Sequence, residues 1–250
     1  MSCFTAETAA DGVVTIVLDR PPVNALRFED LKALLELLEG LQARPDVRAV
    51  VITAEGSRAF VAGTDINELA ELTEDSAREA LEVVQGVVNL IYDFPVPVIA
   101  AVNGPAIGSG VAIACASDIR IASPNASFIL PEVNVGVMGG SAHVARFIPQ
   151  GRARWMMYTG EAMPCDEAYR LGLVDAVVDA ESLRDEAVRL ASEIASKYPP
   201  AIRLAKLGLN ASEWLSLRDG YKYECELTVQ LRADPEVAEV SRRFLEGRRR

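Results

Sequence analysis

Short β-branched apolar runs along this chain are followed by tight turns and then by apolar residues at helical spacing. Residues 12–19 (GVVTIVLD) predict a strand stopped by Pro21-Pro22. Phe28, Leu31, Leu34, Leu35 and Leu38 then fall on one face, which predicts a helix over 28–39 with Gly40 as its end. Residues 47–53 predict a second strand. In 59–69 (AFVAGTDINEL), Phe60 and Val61 pack and Ala62-Gly63 bends the chain. Thr64 or Asp65 then caps a helix starting near Ile66. Residues 72–92 predict a longer helix, ended by Pro95 and Pro97.

The pattern is clearest in 98–121 (VIAAVNGPAIGSGVAIACASDIRI). It comprises an apolar run over 98–102, a glycine-rich turn over 103–110, a helix of small residues beginning at about Ser109, and a second run from Ile119. Further on, 128–130 is a short apolar run broken by Pro131, and Glu132 precedes alternating Val133, Val135 and Val137. Helices are expected over 141–147, 152–159, 166–171 and 182–198, with Gly172 closing the third, and a short strand over 174–178. From 201 onward the signal is helical throughout, a tail that packs on the core or on a neighbouring subunit. No internal repeat is visible. The terminal Arg248–Arg250 read as a solvated end or as a phosphate contact.

Half of the 250 residues are hydrophobic and 24% are charged, enough for a full core. The formal net charge of −11 argues against nucleic acid or an anionic membrane as partner. An anionic small molecule would need a local basic patch. Cys3, Cys115, Cys165 and Cys225 are scattered without a C-x-x-C pair, as expected of reduced thiols. The N-terminal stretch has neither a basic n-region nor an apolar h-region, and no apolar run reaches membrane-spanning length. A soluble cytoplasmic protein is the expectation.

The turn over 103–110 leads into a helix start, where free N–H groups and the positive dipole end favour negative charge. A P-loop would need Lys and then Ser or Thr after the last glycine, where Val111 and Ala112 stand. The dinucleotide fingerprint G-x-G-x-x-G does not fit G-x-x-x-G-x-G. Two readings remain: a turn that merely packs closely, or an oxyanion site using the Ser109 N–H, with the Thr64 N–H of the earlier bend as second donor. Glu132 is either a general base in an apolar setting or a turn-edge carboxylate facing water. His143, the only histidine, is either a proton shuttle or a packed residue.

Four segments carry a resemblance. FVAGTDINEL (60–69) resembles the A-G-x-D-[IL] segment of the crotonase (enoyl-CoA hydratase/isomerase) superfamily. Residues 99–119, with AAVNG, the Gly108–Gly110 turn and SDI, resemble its second segment. Pro131-Glu132 with the following glycines resembles the third, and 162–178 the later M-x-x-x-E-A-x-x-x-G-L-V-D segment. The match runs in order from about residue 11 to residue 200. It implies an α/β spiral of stacked ββα units over 1–200. A helical region over 201–250 would close the pocket and assemble homotrimers or dimers of trimers.

The resemblance also implies a coenzyme A thioester as substrate, with no metal and no cofactor beyond the CoA that the substrate carries. The N–H groups of Thr64 and Ser109 would form the oxyanion hole. The segments around Ala25 and across Ala62, Gly63, Thr64, Asp65 and Ile66, with Gly108 and Ser109, would hold the thioester, and Arg27 a CoA phosphate. Family hydratases carry two glutamates. Glu132 matches the second, and Ala112 stands at the first. A single acid/base suits double-bond isomerisation, with hydration, a lyase or hydrolase reaction, or silent acyl-CoA binding as alternatives. Ser141 and His143 are candidates for the missing group. A Ser109–His143–Asp hydrolase is the rival enzyme, although Ile107 stands where G-x-S-x-G needs glycine.

Overall fold

The computed structural model describes residues 2–247, so the reading of Arg248–Arg250 lies outside the described residues. The chain winds as a spiral in which each turn lays one strand in a large sheet and a second on a smaller ledge, then adds a helix. The edge strand β1 (Phe4–Thr8) leads into β2 (Val13–Leu18), a ledge at 24–26 and α1 (Phe28–Gln42). The next turn runs through β3 (Ala49–Ala54), a ledge at 61–64, α2 (Ile66–Ala70) and α3 (Glu74–Tyr92). The third is β4 (Val98–Val102), β5 (Ala106–Ile107) and α4 (Ser109–Ala116). The fourth is β6 (Ile119–Ala122), β7 (Ser127–Ile129), a 3-10 turn at Glu132–Asn134, α5 (Ser141–Val144) and α6 (Gln150–Thr159). Then come β8 (Met163–Pro164), α7 (Cys165–Leu171), β9 (Ala176–Val177) and α8 (Leu183–Ala195).

The large sheet has the order β1-β2-β3-β4-β6-β9 and is parallel except for β1 against β2. Its inner strands are continuous apolar runs because helices cover both faces. Side chains alternate as the pleat requires. Val13, Ala49, Val51, Ile99, Ala101 and Ile121 meet Ala187 and Ala191 of α8, while Val14, Ile16, Val50, Ile52 and Ala100 join the larger core under α1, α3 and α4.

The structure differs from the sequence-based expectation at several element ends. Helix α1 runs through Gly40 to Gln42 because Leu41 continues its apolar stripe into the core. Gly40 faces open space and costs only the usual ~1 kcal/mol of a helical glycine. β1 has only Phe4 buried, so alternation gave no sign of it. α5 stops at Val144, and α8 stops at Ala195, before a new helix begins at Pro199.

After the spiral come α9 (Pro199–Ser212), α10 (Leu217–Arg232) and α11 (Val237–Gly247). Lys206 of α9 is only 5% exposed. Its ammonium donates to Asp118 Oδ2 at 2.7 Å and to the carbonyls of Ile91 and Val96 at 3.3 Å. Asp118 Oδ2 also accepts from the Val98 N–H at 2.7 Å, so one carboxylate ties the C-terminal region to the start of β4. Burial lowers the Lys206 pKa and Asp118 opposes that shift. Asp118→Asn keeps an acceptor for Val98 but leaves a buried ammonium without its counter-charge. Because Asp118 is partly exposed, the expected loss is about 2 kcal/mol, below the usual range for breaking a fully buried pair. Urea unfolding checks this, and Asp118→Asn combined with Lys206→Met should recover most of the loss.

Candidate active site

The ledges bring the candidate residues together. Leu26 bridges Thr64 and Val61 bridges Ala106, both parallel, and β5 pairs in parallel with β7. The bonds that join them are Leu26 N–H to Gly63 O at 2.8 Å, Ile107 N–H to Val61 O at 2.9 Å and Gly108 N–H to Ile129 O at 2.9 Å. Parallel segments in register end on the same side. Phe28, Thr64, Ser109 and Glu132 follow four neighbouring ledges, and all four line one cavity of about 270 Å³.

Two glycines let the bends touch. Gly63 has φ +94°, and a Cβ there would lie 3.1 Å from the Ile107 carbonyl oxygen. Gly108 has φ +55°, and a Cβ there would lie 4.0 Å from Gly63 Cα and 3.3 Å from Glu132 Oε1. Both conformations favour glycine, and a side chain at Gly108 would intrude on the carboxylate. Among the described residues, neither the Thr64 nor the Ser109 N–H donates to a backbone carbonyl. The Thr64 hydroxyl donates to Ser109 Oγ at 3.3 Å. Ser109 also opens α4, whose first-turn N–H groups and dipole favour negative charge there.

Glu132 is 7% exposed, and its Oε2 is buried without a hydrogen-bond partner among the described residues. Burial raises its pKa above the ordinary value, partly offset by a backbone hydrogen bond. Of the neighbouring valines, Val133 is 40% exposed and stands outside the cavity, whereas Val135 and Val137 line it with Glu132, so in this 3-10 turn strict alternation does not hold. The Gly108 bend and Gly139 also approach the carboxylate, and a Cβ on Gly139 would lie 3.6 Å from Glu132 Oε1. Ala112, one turn into α4, lines the same cavity with a methyl group and offers no proton.

The other predicted residues are placed as follows. Ala62, Gly63, Ile66 and Gly108 line the cavity, with Ile66 exposed at its rim. Asp65 caps α2, accepting from the Asn67 N–H at 2.9 Å, and its pKa is lowered by that bond. The Ala25 carbonyl accepts from Arg20 Nη1 at 2.9 Å. Arg27 pairs with Glu29 at 2.8 Å and with Asp30 at 3.8 Å. Ala25, Arg27, Asp65, Ser141 and His143 are outside the cavity lining. His143 borders a neighbouring groove, and burial first, then the charge of Arg146, lowers its pKa. Ser109 Oγ accepts from the Thr64 hydroxyl, and among the described residues no hydrogen bond joins it to His143, so the serine–histidine pair of a Ser-His-Asp hydrolase is not formed.

Leu69, Leu81, Val84 and Met138, none of them singled out from the sequence, complete the apolar wall. Leu81, Val84 and Val88 lie at helical spacing on α3, a signal that marks a packed face but not what it packs against. Among the described residues no three His, Cys, Asp or Glu groups are arranged to hold a metal ion. No described helix is long and apolar enough to cross a membrane.

The profile of the enoyl-CoA hydratase/isomerase family matches residues 8–250. The chain is 33% identical over 244 residues to a short-chain-enoyl-CoA hydratase of Clostridium acetobutylicum, covering 94% of each protein. It is 35% identical over 229 residues to a (7aS)-7a-methyl-1,5-dioxo-2,3,5,6,7,7a-hexahydro-1H-indene-carboxyl-CoA hydrolase of Mycobacterium tuberculosis, covering 91% of this chain and 92% of that one. The crystal structure of an enoyl-CoA hydratase from Bacillus anthracis superposes with a TM-score of 0.93 at 32% identity, over 98% of this chain and 97% of that one. The spiral, the converging ledges and these matches agree, and the chain belongs to the enoyl-CoA hydratase/isomerase family of the crotonase superfamily.

Proposed function

We propose that this enzyme acts on an enoyl-CoA thioester through one carboxylate and an enolate, and that its reaction is double-bond migration. The observation that carries the reading is a cavity with one carboxylate, Glu132, beside two unspent amides, with Ala112 where hydration would want a second acid. The thioester oxygen accepts from the Thr64 and Ser109 N–H groups. Glu132 takes a proton from the carbon next to the carbonyl, the amides hold the charge moved onto oxygen, and Glu132 returns the proton to the far end of the conjugated system. Burial of Glu132 in an apolar wall makes its carboxylate more basic, which suits a proton held by carbon.

CoA recognition rests on Ala25, on the stretch from Ala62 through Asp65 to Ile66, and on Gly108. Arg27 is the cation for a CoA phosphate, exchanging its exposed pairing with Glu29. This supplies the basic contact that a chain of net charge −11 needs. The region 201–250 closes the pocket and mediates a homotrimer or dimer of trimers. Support comes from large apolar residues on α10 and the turn before it: Trp214 is 83% exposed, Leu217 91% and Tyr221 68%. Light scattering on the eluted protein should give three or six times the 27.0 kDa chain mass, and a monomer would refute the assembly.

Incubation with an acyl-CoA in deuterated water should place deuterium on the α-carbon, and binding without exchange would instead mark a silent acyl-CoA-binding protein. Exchange should rise with pH through a Glu132 pKa above 4.5 and then level, because only the carboxylate is a base. Glu132→Gln should lower exchange by about 10²–10⁴-fold. The same change should raise stability at neutral pH by about 1 kcal/mol, since it removes a buried unpaired charge. The sign follows from linkage: the folded protein holds this proton more tightly, so stability falls as pH rises from 4.5, and the variant's advantage vanishes below it.

Hydration is the second reading, favoured by the named hydratase relatives. Migration turns a 3-enoyl-CoA into the conjugated 2-enoyl-CoA at unchanged mass, read by the ultraviolet absorbance of the conjugated thioester, whereas hydration of a 2-enoyl-CoA adds the mass of water. Ala112→Glu places a second carboxylate in the cavity and should raise the hydration-to-isomerisation ratio at least about ten-fold, given the worth of one acid/base group.

A further inference from the structure

The oxyanion reading uses the main-chain N–H groups of Thr64 and Ser109 and leaves their hydroxyls without a task. Both residues line the cavity, and both are half-buried. In the Gly108–Gly110 bend only Ser109 carries a side chain. A Cβ on Gly108 would approach Glu132, and one on Gly110 would strike Val61. The one side chain that this bend admits is therefore a hydroxyl at the cavity. The Thr64 hydroxyl donates to Ser109 Oγ at 3.3 Å. Each hydroxyl oxygen is three bonds from its own amide nitrogen, so this contact holds both oxygens beside the two free N–H groups.

A hydroxyl has one proton to give. That of Thr64 is committed to Ser109, and among the described residues the Ser109 proton has no acceptor. No bond among them joins Ser109 to Glu132 or His143, and Glu132 Oε2 has no partner. Without a base to remove its proton, Ser109 is a donor and not a nucleophile. We propose that the Ser109 hydroxyl, oriented by the Thr64 hydroxyl, is a third hydrogen-bond donor to the thioester oxygen and acts with the two amides as charge gathers there. This inference rests on the enolate reading above. Donation from Thr64 polarises the Ser109 hydroxyl, and its bond strengthens as the oxygen gains charge. The effect falls on turnover more than on binding, because the ground-state carbonyl carries less charge than the enolate.

The test starts from Ser109→Ala, which keeps the amide and removes the hydroxyl. The saturating rate of α-deuterium exchange should fall about 10–100-fold, a limited loss because two amides remain. Affinity for butyryl-CoA should change by less than about three-fold. A structural disturbance could also slow exchange, so a second readout follows the bond itself: infrared difference spectra of bound butyryl-CoA labelled at its carbonyl carbon. Donation lowers the carbonyl stretching frequency, and in Ser109→Ala the band should move toward that of the free thioester. Thr64→Val removes the orienting hydroxyl and should slow exchange at least about three-fold, and Thr64→Ser should restore it. Unchanged thermal melting shows that each variant is folded, and the Thr64 pair decides if Ser109→Ala is not. A folded Ser109→Ala with the native carbonyl band would overturn the proposal whatever its rate, as would equal exchange rates in Thr64→Val and Thr64→Ser. A native complex whose carbonyl band matches free butyryl-CoA would overturn the enolate reading itself, and this inference with it.

Discussion

The arrangement depends on a contact that leaves no room for a side chain. A Cβ on Gly110 would lie 2.3 Å from the Val61 carbonyl oxygen and 2.8 Å from Val61 Cβ. That oxygen accepts the Ile107 N–H at 2.9 Å, so the third ledge is bonded to the second just before α4 begins. The helix must then start against the backbone of the bend at Gly63. Any residue larger than glycine at 110 would push α4 off that ledge and separate the Ser109 and Thr64 amides. The rest of α4 follows from the same demand. It is buried from Gly110 to Ala116 and built of small and medium residues, as suits a helix with backbone packed around it.

Glu132 shows the opposite economy. A buried carboxylate without a partner for one oxygen is a destabilising feature that folding alone would not keep. Its surroundings are arranged around that feature: Gly108 and Gly139 stand next to Oε1 and offer no side chain in place of substrate. The glycines, the unspent amides and the orphan oxygen are each mildly unfavourable, and together they describe an enclosure waiting for a polar molecule with an apolar body.

What could be read in the sequence was local. Strand β4, the bend at Ala62-Gly63, the start of α4 at Ser109 and the position of Glu132 after Pro131 are fixed by neighbours a few residues away. The resemblance supplied the order of the segments and so the spiral, which no sequence repeat announced: its turns share backbone geometry, and their side chains are chosen separately by each turn's neighbours. The apolar wall was not legible, because Leu81 and Met138 meet only after about four turns of chain have been stacked. The burial of Glu132 was legible only in part: Val135 and Val137 do line its cavity, but Gly108 and Gly139, which stand beside its Oε1, could not be read from the alternation. β1 was invisible because an edge strand with one buried side chain has no pattern to show.

Helix α3 joins the two halves of the molecule. Its middle supplies Leu81 and Val84 to the cavity wall. Its end supplies the Ile91 carbonyl to Lys206, and Tyr92 exchanges hydrogen bonds with Asn210, donating its hydroxyl at 3.3 Å and accepting at its carbonyl at 2.9 Å. The C-terminal helices are thus fastened to the same rigid rod that shapes the site. A rod of this kind transmits a shift at one end to the other because its core contacts at Val87, Val88 and Ile91 are closely packed and do not deform independently. Anything that holds α9 and α10 in place therefore also holds the apolar wall against which the thioester would lie. The position of the wall and the exposed apolar residues of the tail are consequently parts of one mechanical problem.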